Sequence, residues 1–286
     1  MRILVTGIKG MLGQDLAPLL LSRHELLPVD LPEVDITDQG AMARCVETGK
    51  PDVVIHAAAF TAVDECERQP QRAYLVNSTG TRNVALACQS AGVPLLYIST
   101  DYVFDGEKDS PYLESDAPNP LSVYGKSKLE GELHLREIVS RFWIVRTSWL
   151  FGPQGKNFVQ TILDRIRAGE SLRVVDDQVG APTYTEDLAA KLLEVVEKGE
   201  PGVYHVTNQG YCSWFEFSLE IARQAGVRAV SISPIPTSAS ERPARRPRNS
   251  RLANTRLASS GLGLLPPWTD ALGRYLARET RVHAQN

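Results

Sequence analysis

A strand that runs straight into three evenly spaced glycines constrains this chain more than any other stretch. Arg2-Ile3-Leu4-Val5-Thr6 is a short apolar run with β-branched residues, the pattern of a buried parallel strand. It is followed at once by Gly7-Ile8-Lys9-Gly10-Met11-Leu12-Gly13 and then by a helical pattern from Gln14 to Ser22. Glycines let such a turn close and let the backbone approach a pyrophosphate. The helix start behind it favours negative charge, so Gly7, Gly10, Met11, Leu12 and Gly13 are the expected phosphate contacts. The spacing is GxxGxxG, not GxGxxG.

The alternation continues along the chain. A second strand, Glu25 to Val29, delivers Asp30, whose carboxylate is placed to accept ribose hydroxyls. An acid there disfavours a 2′-phosphate, which favours NADH over NADPH, with Lys9 in the glycine loop acting against that preference. A third strand, Pro51 to His56, ends in Ala57-Ala58-Ala59, small enough to leave room for a flat cofactor. Asp35 and Ile36 are expected near the adenine, and His56 is read as a packed strand-end residue. Ala73 to Ala91 reads as one helix carrying Asn77 and Gly80. Pro94 to Ile98 is a strand delivering Ser99-Thr100-Asp101, and Trp143 to Arg146 is a strand that brings Trp149 to the same edge. Strands and helices of these lengths predict an α/β chain, a Rossmann-type doubly wound parallel sheet.

Tyr124-Gly125-Lys126-Ser127-Lys128 supplies candidate chemistry. Four residues apart on a helix, Tyr124 and Lys128 project from one face. A phenol has a pKa of about 10, and a neighbouring ammonium favours its ionised form. With Thr100 adding a hydroxyl, the three make a proton-donating set. The pair alone is weak evidence and gains weight only from the glycine loop.

Together, Thr6-Gly7-x-x-Gly10-x-x-Gly13, the Ser99-Thr100-Asp101 strand end and Tyr124-x-x-x-Lys128 resemble the extended short-chain dehydrogenase/reductase superfamily. Further segments resemble its dTDP-4-dehydrorhamnose reductase branch: Ala59 to Asp64, Ser99 to Gly106, Arg146 to Trp149, Asp177 to Thr183 and Pro243 to Leu252. The resemblance implies hydride reduction of the C4 carbonyl of a nucleotide-linked keto sugar, dTDP-4-dehydro-L-rhamnose, to dTDP-L-rhamnose. Tyr124 would give the proton, Lys128 would hold the nicotinamide ribose and lower the tyrosine pKa, and Thr100 would bond the substrate oxygen. Thr61, Val63, Asp64 and Trp149 would line the sugar with Asp101 orienting it, though Trp149 also fits core packing. Asn77 would join a water relay to Lys128. Tyr102 stands where sugar-nucleotide dehydratases carry a second acid, which disfavours dehydration. A 4-epimerase or another nucleotide-sugar reductase would share Tyr124, Lys128 and the glycines. A non-catalytic cofactor-binding regulatory subunit is a third reading.

Beyond residue 150 the composition shifts, with Gly152-Pro153-Gln154-Gly155 as a junction. Residues 1–150 with about 183–200 are expected to bind the cofactor, and 151–182 with about 201–286 the nucleotide sugar. Expected helices are Asn157 to Ala168, Glu186 to Lys198 and Trp214 to Ala225, with Pro201 to Val206 a strand, Pro234 onward loop-rich and a loose tail from Arg281. Arg242, Arg245, Arg246, Arg248 and Arg251 crowd into ten positions, a set whose forks suit a diphosphate, while charge runs of this kind are more commonly solvated or paired with acids. A net charge of -3 excludes a global nucleic-acid or membrane-surface footprint. No apolar run reaches the roughly 18 residues of a membrane span. The chain opens in a strand with no signal peptide, and Cys45, Cys66, Cys88 and Cys212 lack ligand-like spacing, so a reducing cytoplasm is expected. Some members of the resembling family hold a divalent ion such as Mg2+ between carboxylates at a dimer contact. Asp15, Glu186 and Asp187 are the matching positions, but Asp15 is shorter than the glutamate expected, and no metal site is assigned. A homodimer is left open.

Overall fold

Alternate residues of each central strand face two different helical layers, which is what makes the strands read as continuous apolar runs. The computed structural model describes residues 1–227 and 231–283. β1 (Arg2–Thr6), β2 (Glu25–Val29), β3 (Val53–His56), β4 (Leu95–Thr100) and β5 (Phe142–Thr147) join the edge strand Gly202–His205 in one six-stranded sheet. The order is β2-β1-β3-β4-β5-edge, and every pairing is parallel. Ile3, Val5, Leu96 and Ile98 pack with Leu16 and Leu192 from helices Met11–Leu21 and Thr185–Lys198 on one face. Leu4, Leu95, Tyr97 and Ile144 pack with Val46, Val84 and Leu135 from helices Gln39–Gly49, Thr81–Ala91 and Val123–Ile138 on the other. The order reverses at β1, so the crevice between the carboxyl ends of β1 and β3 is the switch point where such sheets bind ligands.

A second core gathers Phe151, Leu163, Tyr184, Phe217, Leu272 and Tyr275 from the later part of the chain. Three expectations differ from the structure. The strand Gly202–His205, placed with the second domain on sequence, pairs with β5 in the main sheet. The helix expected over Ala73 to Ala91 is broken into Pro70–Tyr74, a π-helical turn Leu75–Gly80 and Thr81–Ala91. The loop-rich end contains a helix, Trp268–His283, which takes in Arg281, where a loose tail was expected; residues 284–286 of that tail lie outside the described residues. Cys45, Cys66, Cys88 and Cys212 are free thiols, Cys45 half-buried and the rest buried. Among the described residues no helix is long and apolar enough to cross a membrane.

Candidate active site

The glycine loop closes because its glycines have no side chain to place. Gly7 has φ +74°, and a Cβ on it would lie 2.6 Å from Ala58 N. A Cβ on Gly13 would lie 2.5 Å from the carbonyl oxygens of both Gly7 and Ile8. Gly10 caps helix Met11–Leu21 without a side-chain hydrogen bond, and no acid occupies the first turn. First-turn N–H groups without a side-chain cap fit a pyrophosphate, so the loop fits a dinucleotide cofactor. Asp30 does something more local than expected. Its carboxylate accepts from Lys9 N and Leu31 N, both at 2.8 Å, pinning the loop to the end of β2. The Lys9 ammonium is engaged by Leu31 O at 2.6 Å and by Glu33 at 2.9 Å.

A cavity of about 470 Å³ opens beside this loop. Its cofactor side is lined by Gly7, Gly10, Met11, Leu12, Gly13, Ala57 and Ala59. Thr61, Val63, Thr100, Asp101, Tyr124, Lys128 and Trp149 complete the predicted set that meets there. Asp30, Asp35, Ile36, Ala58 and Asp64 are not among its lining. Asp35 folds back on Thr37, and Ile36 is buried in the core.

Ser122 caps the helix carrying Tyr124 by accepting from Gly125 N at 3.1 Å. Tyr124 is buried, and burial pushes its phenol above the ordinary tyrosine range against the hydrogen bond of Thr100. Lys128 donates to Ile98 O at 2.7 Å and lies 4.1 Å from the centre of the Tyr97 ring. Lys128, expected to lower the tyrosine, is not among the groups that mainly shift it: burial dominates and holds a neutral phenol, the state a proton donor needs. Burial also brings Lys128 down to about 7, opposed by Glu132. Thr100 donates to Asp101 at 2.9 Å and accepts from Tyr102 N at 3.2 Å. Asp101 is raised to about 7 by burial, opposed by the Ser250 and Thr100 hydroxyls.

Asn77, expected in a water relay, also has a structural place. Its side chain bonds both backbone groups of Phe60 and the Ser127 hydroxyl, so it ties the π-helical turn to the Tyr124 helix. His56 is buried between Thr6 and Thr81 and lowered to about 3 by burial, a packed residue as read.

The opposite wall holds what the sequence reading missed. Trp149, at φ +48°, stacks on Trp214 with ring centres 3.5 Å apart and planes 7° from parallel. Phe158 packs against Trp214 at 4.5 Å, and both line the cavity. A bulky residue held at positive φ is costly and marks a constrained place. Asp64 is also reassigned. It accepts from Arg242 at 3.1 Å and Arg246 at 2.9 Å, so two members of the arginine cluster face a carboxylate. The three candidate metal carboxylates are likewise engaged: Asp15 faces Thr185 and Arg278, Glu186 faces Arg278, and Asp187 faces Arg274. Among the described residues of this one chain no group of three or more candidate ligands occurs.

Residues 1–281 match the family described as RmlD substrate binding domain. A dTDP-4-dehydrorhamnose reductase of Aggregatibacter actinomycetemcomitans is 40% identical over 285 residues, covering 95% of this chain and 97% of that protein. The chain belongs to the RmlD family. Solved structures agree with that membership. A dTDP-4-dehydrorhamnose reductase of Clostridium acetobutylicum matches with a TM-score of 0.95 and 42% identity, over 98% of this chain and 100% of that one. The Bacillus anthracis dTDP-4-dehydrorhamnose reductase in complex with NADP matches with a TM-score of 0.94 and 38% identity, over 97% and 99%.

Proposed function

We propose that this RmlD-family chain is a cytoplasmic NAD(P)H-dependent reductase that converts dTDP-4-dehydro-L-rhamnose to dTDP-L-rhamnose. The observation that carries the reading is the meeting of Tyr124, Thr100 and Lys128 in a cavity bordered by an open glycine loop. When bound, the reduced nicotinamide cofactor supplies the hydride. The backbone from Gly7 to Gly13 holds its pyrophosphate, and Lys128 holds its nicotinamide ribose. Tyr124 gives its proton to the C4 oxygen as the carbonyl becomes an alcohol, and Thr100 orients that oxygen. Asp101 fixes the Thr100 hydroxyl. Thr61, Val63 and Trp149 border the sugar, while Asp64 acts through Arg242 and Arg246. The NADP held by the Bacillus anthracis relative supports acceptance of NADPH as well as NADH. In this reading residues 1–150 with about 183–205 bind the cofactor and the remainder binds the nucleotide sugar.

Loss of NADH or NADPH absorbance on adding dTDP-4-dehydro-L-rhamnose tests the proposal. Tyr124→Phe should lower the rate by about 100-fold or more while the cofactor still binds. No oxidation of either cofactor by a wild-type protein that binds NAD would overturn it.

A further inference from the structure

The proposed reaction brings two diphosphates to one cavity, the cofactor's and the nucleotide sugar's. Most of the nearby cations are already engaged. The Lys9 ammonium is held by Leu31 O and Glu33, and Arg242 and Arg246 are held by Asp64. Arg251 donates to Asn249 and to the carbonyl of Asp109. None of the five clustered arginines lines the cavity. Among the described residues the lining holds two cationic side chains, Lys128 and Lys156. Lys128 is buried and donates to Ile98 O. Lys156 is exposed, and among the described residues its ammonium has no ion-pair or hydrogen-bond partner.

The backbone around Lys156 is nonetheless held. Asn157 accepts from Gln160 N at 3.0 Å and donates to Gly152 O at 2.8 Å, closing the junction loop on the start of helix Phe158–Arg167. On one side of Lys156, Gly155 has φ +78°, and a Cβ on it would stand 4.0 Å from the Met11 side chain. On the other side, Phe158 packs against Trp214. Lys156 therefore sits on the border between the glycine-loop wall and the aromatic wall, with its own side chain free. A compact ammonium on a flexible stem is a common partner for phosphate. Asp101 supplies the lining's one carboxyl group, and it bonds Thr100.

We propose that Lys156 is a diphosphate-binding cation at the cavity mouth, meeting the phosphates of a bound nucleotide from the junction loop. The proposal rests on the substrate and cofactor assigned above. Both carry the same diphosphate chemistry, and separate binding measurements tell them apart.

The test is calorimetric Kd for NADP, and for dTDP on the NADP-loaded protein, with wild type, Lys156→Met and Lys156→Arg. Lys156→Met should weaken dTDP, NADP or both about tenfold, and the loss should shrink as salt is raised. Lys156→Arg keeps the charge and should recover most of the affinity. A loss confined to dTDP places the ammonium on the nucleotide sugar, and one confined to NADP places it on the cofactor. Unchanged affinity for both in Lys156→Met would overturn the proposal. A loss that is independent of salt, or that Lys156→Arg does not recover, would mean a disturbed loop and overturn it too. A wild type that binds NADP but not dTDP would instead overturn the nucleotide-sugar reading, and the NADP arm would still decide the role of Lys156.

Discussion

On the cofactor side of the cavity the close contacts are main chain, and on the opposite side they are stacked side chains. Gly7 and Gly13 leave less than 3 Å for any added carbon, and their neighbours are backbone atoms that cannot rotate away. Trp149 and Trp214 stack face to face with Phe158 tilted against Trp214, and beyond that lining Asp64 meets Arg242 and Arg246 through side-chain atoms. A wall of backbone tolerates no substitution at its closest points, whereas a wall of side chains can lose one member and keep its outline. The first should fail completely when altered, and the second by degrees.

The largest effect is expected at Gly13. Gly13→Ala would push a carbon against two carbonyl oxygens, so cofactor affinity should fall about 100-fold and the melting temperature by several degrees. Fluorescence titration with NADPH and a thermal melt measure both; unchanged affinity would show that the loop has slack and break the contrast. Trp214→Ala comes next. Loss of the ring beneath Trp149 should raise the sugar-nucleotide KM about tenfold and leave the cofactor KM in place. A parallel change in both constants would merge the two walls into one unit. The smallest effect is expected from Asp64→Asn, about two- to threefold in the sugar-nucleotide KM and shrinking as salt is raised, because Arg242 is largely exposed. A salt-independent loss would mean that Asp64 touches the sugar itself.

The same contrast decides what could be read from the sequence. β1, the glycine loop and the Tyr124 helix are local: spacing within a few residues specifies the turn, the cap and the shared face. The doubly wound sheet followed from strands and helices alternating at the right lengths. Trp214 was legible as the start of a helix but not as the partner of Trp149, since ring stacking across 65 positions leaves no local signal. Asp64 and the arginines lie about 180 positions apart, and each looked free because its partner was out of sight. Asp30 was read as a ribose ligand because an acid after β2 has that spacing. Its hydrogen bonds to Lys9 and Leu31 depend on how the loop folds back, which spacing does not reveal. The π-helical turn at Leu75–Gly80 contains no proline to announce it. The last helix did leave a signal: Trp268, Ala271, Leu272 and Tyr275 fall at helical spacing within a stretch read as loop-rich.

Asp15, in the first helix, faces Arg278, in the last, across 263 positions, and Leu257 and Leu265 complete the apolar layer against Ile3 and Val5. The helix behind the glycine loop is thus braced by contacts of very high sequence separation, which form slowly because distant segments must first meet. A cofactor offered to a partly folded chain would find the turn without the support beneath it.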